Sequence, residues 1–182
     1  MKPILILVIL LVSINLYAQK GDVYFTERPT LTPDGNTVIF SYQGDLWKVP
    51  SYGGNAFRLT AMDGIESYPS VSPDGKWLAF SSNQYGNNDV YLTPLKGGEI
   101  KQLTFHESND VVSSWSWDSK TINFDSNRYN AITNFTISIY GETPKRKFPH
   151  YFNTVHNVVQ HPITKDYYFN ESWESFRFSN RK

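Results

Sequence analysis

Apolar residues fall on every second position in four separate stretches of the chain: Val38 and Phe40, Leu78 and Phe80, Ile122 and Phe124, Tyr167 and Phe169. A period of two places each pair on one face of a β-strand, and no long stretch carries the period of about 3.6 that a helix needs. Three of these strands are entered through one kind of turn, Thr32-Pro33-Asp34-Gly35, Ser72-Pro73-Asp74-Gly75 and the degenerate Ser116-Trp117-Asp118-Ser119. Proline presets φ at the second turn position and glycine accepts the positive φ that closes the turn, so each predicts a hairpin. A third strand is expected at Asp45–Pro50 and again at Asp89–Pro94, with Gly53-Gly54 and Gly97-Gly98 turning into fourth strands that end at Thr60 and Thr104. Four strands per repeat are predicted.

The spacing of the turns sets the architecture. Pro33 to Pro73 is 40 residues and Pro73 to Trp117 is 44, the period of four-stranded β-propeller blades. The likeness runs from Pro29–Ser41 to Pro69–Ser81 and continues in Ser113–Asp125, and a weaker copy puts Pro162 45 residues after Trp117. The expected fold is therefore all-β, a β-propeller of four-stranded blades at about 21–60, 61–104 and 105–148, with an incomplete fourth at 149–182 that includes a strand near Phe176–Ser179. The alternating pairs are expected to pack blade on blade. A ring of this kind typically holds four to eight blades, so three blades and part of a fourth predict completion by the rest of the same polypeptide or by a second chain. An open last edge predicts that the chain folds poorly in isolation.

Charge and composition narrow the classes. Met1-Lys2, an apolar run from Ile4 to Leu16 and the small residue Ala18 before Gln19 read as a signal peptide over 1–18, with a mature chain over 19–182 exported to the periplasm or the extracellular space. The apolar run falls short of the roughly 20 residues that span a bilayer, so the membrane is expected to matter only during export. Without Lys2 the 17 basic residues become 16, against 17 acidic ones, which supplies no electrostatic footprint for nucleic acid. No cysteine occurs and 16% of residues are aromatic, so stability is expected from sheet packing rather than disulfides.

Candidate chemistry is sparse. No Gly-x-Ser-x-Gly elbow marks a nucleophile, and no catalytic residue is assigned. The four histidines, His106, His150, His156 and His161, lack the converging spacing of a zinc site; no metal and no cofactor is expected. Asp34-Gly35 and Asp74-Gly75 lack the further acids of a calcium loop and read as turns. Glu66 and Asp110 occupy one repeat position, just upstream of the innermost strands. Carboxylates there can draw the ammonium or basic side chains of a peptide toward the channel mouth; the competing reading is that each accepts backbone N–H bonds or pairs with a neighbouring blade. Asp45 and Asp89 likewise share a frame at the start of the third strand, with a structural role expected.

The string Tyr42-Gln43-Gly44-Asp45-Leu46-Trp47-Lys48-Val49-Pro50 with Gly53-Gly54 and Arg58-Leu59-Thr60, followed by Pro73–Asn83, Asp89-Val90-Tyr91 and Leu103–His106, resembles the N-terminal propeller of bacterial tricorn-type serine peptidases. The turn repeats alone are also similar to TolB-type propellers. The tricorn resemblance implies an exported segment that binds or guides peptides toward a serine-peptidase domain lying outside this chain. The TolB resemblance implies an alternative, a protein–protein interaction propeller of the cell envelope. Either way the implied partner is peptide or protein.

Overall fold

Every element in the computed structural model, which describes residues 26–129, 132–148 and 154–172, is a β-strand. The signal peptide at 1–18, the start of the first repeat, His150 and the strand expected near Phe176–Ser179 lie outside the described residues. Four sheets follow one another along the chain. The first holds β1 (Glu27–Leu31), β2 (Thr37–Tyr42), β3 (Asp45–Pro50) and β4 (Phe57–Arg58). The second holds β5 (Glu66–Val71), β6 (Trp77–Ser82), β7 (Asp89–Pro94) and β8 (Lys101–Gln102), and the third β9 (Asp110–Trp115), β10 (Thr121–Ser126), β11 (Thr133–Ser138) and β12 (Gly141–Arg146). The fourth pairs β13 (Thr154–Gln160) with β14 (Tyr167–Ser172). Each sheet is an antiparallel meander in chain order, and the first strand of each lies beside the first strand of the next. These are the blades of an unclosed β-propeller, as the repeat predicts.

The hairpin turns owe their shape to local chemistry. Gly35 N–H donates to Thr32 O at 2.8 Å, Gly75 N–H to Ser72 O at 2.9 Å and Ser119 N–H to Ser116 O at 3.0 Å. In each, the aspartate accepts from the hydroxyl two residues before it and the backbone N–H two residues after it. The glycine positions have φ of +74° and +69°, and Ser119 holds the same left-handed conformation at +60°, so the degenerate copy keeps the turn at some backbone strain. In the fourth repeat the turn lengthens by one residue, closing from Lys165 N–H to His161 O.

The alternating pairs pack as expected in two blades and differently in two. Leu78 and Phe80 join Ile39, Leu46 and Tyr91 between the first and second sheets. Ile122 and Phe124 join Ala79, Val90, Leu92, Leu103, Val112, Trp115, Phe135 and Ile137 between the second and third. Each pair therefore faces the preceding blade, and the residue between its members faces the following one. In the first blade Ile39, rather than Val38 or Phe40, joins the cluster between the first and second sheets, because the other face of β2, where Phe40 is itself buried, looks away from the second blade. Tyr167 and Phe169 remain 37% and 44% exposed, covered by Phe148 alone of the described aromatics at 6.4 and 5.2 Å. Between the third and fourth sheets the Asn157 N–H donates to Asp125 at 2.9 Å and the Ser114 hydroxyl donates to Val158 O, beside the buried Val155 and Val158; within the third blade Asp125 also accepts from Asn134 Nδ2 at 2.7 Å and Lys147 Nζ donates to Asn123 at 3.1 Å.

The first strands are bulged, which their apolar pattern does not signal. Arg28 and Pro29 together oppose Phe40, Tyr68 and Pro69 oppose Phe80, and Asn157 and Val158 oppose Phe169, so a bulge breaks three of these strands at one place; Ser113 makes a single-residue version in the third. Arg28, Tyr68 and Asn157 adopt φ of +49° to +53° there. Pro29 and Pro69 were the available signal, since proline inside a strand is confined to edges and bulges.

Candidate functional site

Antiparallel order within each blade brings three kinds of backbone to one end of the molecule: the entries of the first strands, the loops between second and third strands, and the links from one blade to the next. The turns described above lie at the opposite end. Loop length is what varies on this face. The second-to-third-strand loop is Gln43-Gly44 in the first blade and the six residues 83–88 in the second.

The long loops are held by asparagines. Asn83 Oδ1 accepts the Ile65 N–H at 2.7 Å, and Asn127 Oδ1, at the same place in the next blade, accepts the Asn109 N–H at 2.9 Å. Ile65 and Asn109 immediately precede the acids Glu66 and Asp110. The amide N–H groups of those acids in turn donate to Gly44 O and Asn88 O, each at 2.7 Å, so each acid is pinned to the loop of the blade before it. Asn87 Nδ2 donates to His106 O at 2.8 Å and Ser108 O at 2.9 Å, joining loop 83–88 to the link between the second and third blades.

Glu66 and Asp110 are both wholly buried. At the first junction the Thr60 hydroxyl accepts the Leu46 N–H at 2.8 Å and donates to Glu66 at 2.8 Å. Asp45 lies beside Glu66 and carries the cation of the cluster, Arg58, at 3.2 Å. Burial first, then Asp45, push the Glu66 carboxyl up to about 7 despite the Thr60 bond. At the second junction the pieces recur with the cation moved. Arg128 pairs with Asp110 at 2.5 Å, and the Thr104 hydroxyl, which accepts the Val90 N–H at 2.9 Å, donates instead to Asp89 at 2.9 Å. Asp110 and Asp89 are both raised above the ordinary carboxylate range, by burial above all. In each cluster the threonine hydroxyl serves the carboxylate that has no cation.

The second cluster opens to solvent. Tyr85, Asn87, Asp89, Gln102, Phe105, His106 and Glu107 line a cleft of about 260 Å³. Tyr85 and Phe105 are 68% and 77% exposed, and His106 Nδ1 is engaged by the Ser108 N–H at 3.1 Å. Beneath the cleft wall, burial and then the Asp89 carboxylate push the Tyr91 phenol up to about 12. Of the expected acids, Asp110 thus lies behind this surface beside Asp89 and Glu66 belongs to the first junction, while the groups that meet solvent are Tyr85, Phe105 and Glu107. Asp89, for which the sequence predicts a structural role, is held by Thr104 and Gln102 and also lines the cleft. Of the histidines, His161 accepts two backbone N–H groups within its own turn. Among the described residues no three His, Asp or Glu side chains converge as a metal site would require.

The sequence profile of the tricorn protease N-terminal β-propeller domain matches residues 24–176. A 60-residue stretch is 35% identical to tricorn protease homolog 1 of Streptomyces coelicolor, covering 33% of this chain and 6% of that protein. Among solved structures, TolB from Acinetobacter baumannii superposes with a TM-score of 0.61 at 21% identity, over 81% of this chain and 41% of that one. The tricorn protease superposes with a TM-score of 0.54 at 12% identity, over 66% of this chain and 14% of that one. The chain thus spans less than half the length of each of these proteins, and the two structural likenesses are likenesses of fold.

Proposed function

Because the chain belongs to the tricorn protease N-terminal β-propeller family, we propose that it is the peptide-handling segment of an exported tricorn-like peptidase, receiving extended polypeptide on its loop face and passing it to a catalytic domain outside this chain. The observation that carries this reading is the cleft on that face: two exposed aromatic side chains over an acidic floor, its walls joined by Asn87. Aromatic walls supply contact area that tolerates many sequences, and an extended peptide is long enough to engage a rim and a channel together. Asp110, being buried beside Asp89, acts on such a ligand through the field behind the cleft and not by contact, and Glu66 bears on the fold of the first junction. Export rests on the leader-like residues 1–18, and the protein is placed in the periplasm or extracellular space.

The test uses the full polypeptide purified from the envelope fraction, where its mass should correspond to a start at Gln19. A labelled, permanently unfolded polypeptide should bind saturably in anisotropy titrations, and the double variant Tyr85→Ala, Phe105→Ala should weaken that binding at least tenfold, or about 1.4 kcal/mol. Failure to bind the unfolded polypeptide, together with saturable binding of a folded envelope protein, would overturn this reading in favour of a docking propeller of the TolB kind.

A further inference from the structure

The two junction clusters differ at one position of the repeat. Arg58-Leu59-Thr60 in the first blade corresponds to Gln102-Leu103-Thr104 in the second, so the place of the Arg58 guanidinium, 3.2 Å from Asp45, is taken by a neutral amide. Gln102 Nε2 does reach the matching acid, at 3.1 Å from Asp89, but brings no charge. Arg128 does not fill the gap. It is paired with Asp110, donates from Nε to Ser126 at 3.0 Å and lies over the Phe124 and Phe135 rings at 5.5 and 4.8 Å. Asp89 therefore has no ion-pair partner of its own among the described residues, and its cluster sets three carboxylates, Asp89, Asp110 and Glu107, against the single guanidinium of Arg128. A buried carboxylate without a cation is costly unless one is supplied.

The cleft opens at this same acid. Its rims are Tyr85, at the tip of the loop that is four residues longer than its counterpart in the first blade, and Phe105 on the link. Aromatic faces beside a carboxylate suit an ammonium or guanidinium, which gains from both the ring quadrupole and the charge. A cleft of about 260 Å³ is below the size of drug-like ligand pockets and of a size for one long side chain.

We propose that this cleft is a subsite for a basic peptide side chain, the guanidinium of arginine or the ammonium of lysine, which replaces from outside the cation that Arg58 supplies within the first blade. The proposal rests on the peptide-handling reading and gives it a preference: segments carrying a basic residue are held at the rim between the second and third blades.

Two probes that differ only in charge test it, an acetylated and amidated pentapeptide of glycines with a central arginine and the same peptide with citrulline. Titrated into the full polypeptide and followed by amide chemical shifts, the arginine peptide should bind about tenfold more tightly than the citrulline peptide, with shifts at Tyr85, Gln102 and Phe105. Gln102→Arg should abolish that preference by placing the cation inside, as the first blade does. Tyr85→Ala, a change at an exposed residue that leaves the core intact, should weaken the arginine peptide several-fold. Equal binding of the two probes, binding of neither, or an undiminished arginine preference in Gln102→Arg would each overturn the subsite. Saturable binding of long unfolded polypeptide alongside equal binding of the two probes would leave the peptide-handling reading standing while removing this one.

Discussion

A threonine hydroxyl between two carboxylates appears at both well-packed blade junctions, and which acid it serves depends on where the arginine sits. At the first junction the acid left without a cation is Glu66, fully buried and held to about 7 by burial and by Asp45. Its ordinary value is 4.5, so between these limits the folded protein binds more protons than the unfolded chain, and stability falls as pH rises. This contribution is intact below about pH 4.5, is lost progressively up to about pH 7, and amounts to at most about 3 kcal/mol. Glu66→Gln keeps an acceptor for Thr60 and removes the titration. The variant should be more stable than the parent at alkaline pH, and the difference between the two should shrink as pH is lowered toward 4.5; urea unfolding across that range measures it. A constant difference at all pH values would show that Glu66 does not titrate in this window. The junction acids share a frame that is visible in the repeat, but their burial and the relocation of the arginine from position 58 to position 128 are not, because Arg128 comes from a different loop.

At the level of elements, the turns were legible because everything they need lies within six residues: a hydroxyl, an aspartate, and a residue able to take positive φ. The long loops were legible only as lengths. Their conformation depends on a contact across blades at Gly64, whose φ is +108° and where an added Cβ would lie 2.9 Å from the Gln84 backbone and 2.8 Å from Asn83 Oδ1. Gly64→Ala should therefore displace loop 83–88 as well as strain its own backbone, lowering stability by about 1–3 kcal/mol and weakening binding of unfolded polypeptide, although Gly64 does not line the cleft. Gly53→Ala is the fitting comparison, since its φ of +92° imposes strain but nothing lies within 4 Å of the new carbon. It should cost about 1 kcal/mol and leave binding unchanged. Matching behaviour of the two variants in urea unfolding and peptide titration would remove the loop-displacement argument. The bulges in the first strands belong to the same scale. Pro29 and Pro69 mark two of them, whereas Asn157 and Ser113 carry no residue type that announces one.

Across the whole molecule the three described junctions are unequal. Two bury extended aliphatic and aromatic clusters between sheets, whereas at the third the last sheet buries Val155 and Val158, is tied to Asp125 by the Asn157 N–H, and leaves Val159, Tyr168 and Phe169 substantially exposed. Apolar burial is the main source of sheet stability, and local opening is easiest where it is least. Amides in β6, β7 and β10, whose strands are buried on both faces, should therefore exchange slowest with deuterium, and those of β13 and β14 fastest among the described strands. Uniform exchange across the four sheets would contradict this ranking of the junctions.

Strand identity, the four-strand repeat and the succession of blades were set by local sequence, because period-two alternation and tight turns depend on residues only a few positions apart. The family likeness rests on those same short strings. What the tertiary structure alone decided is which face of each strand meets which neighbour, where Arg58 and Arg128 neutralise an acid, and that Asp89, next to Tyr85 and Phe105, is left with a neutral glutamine. Those charge pairings join groups 13 to 18 residues apart that meet in space, and pairings over such separations are fixed by packing and charge compensation rather than by any pattern along the chain.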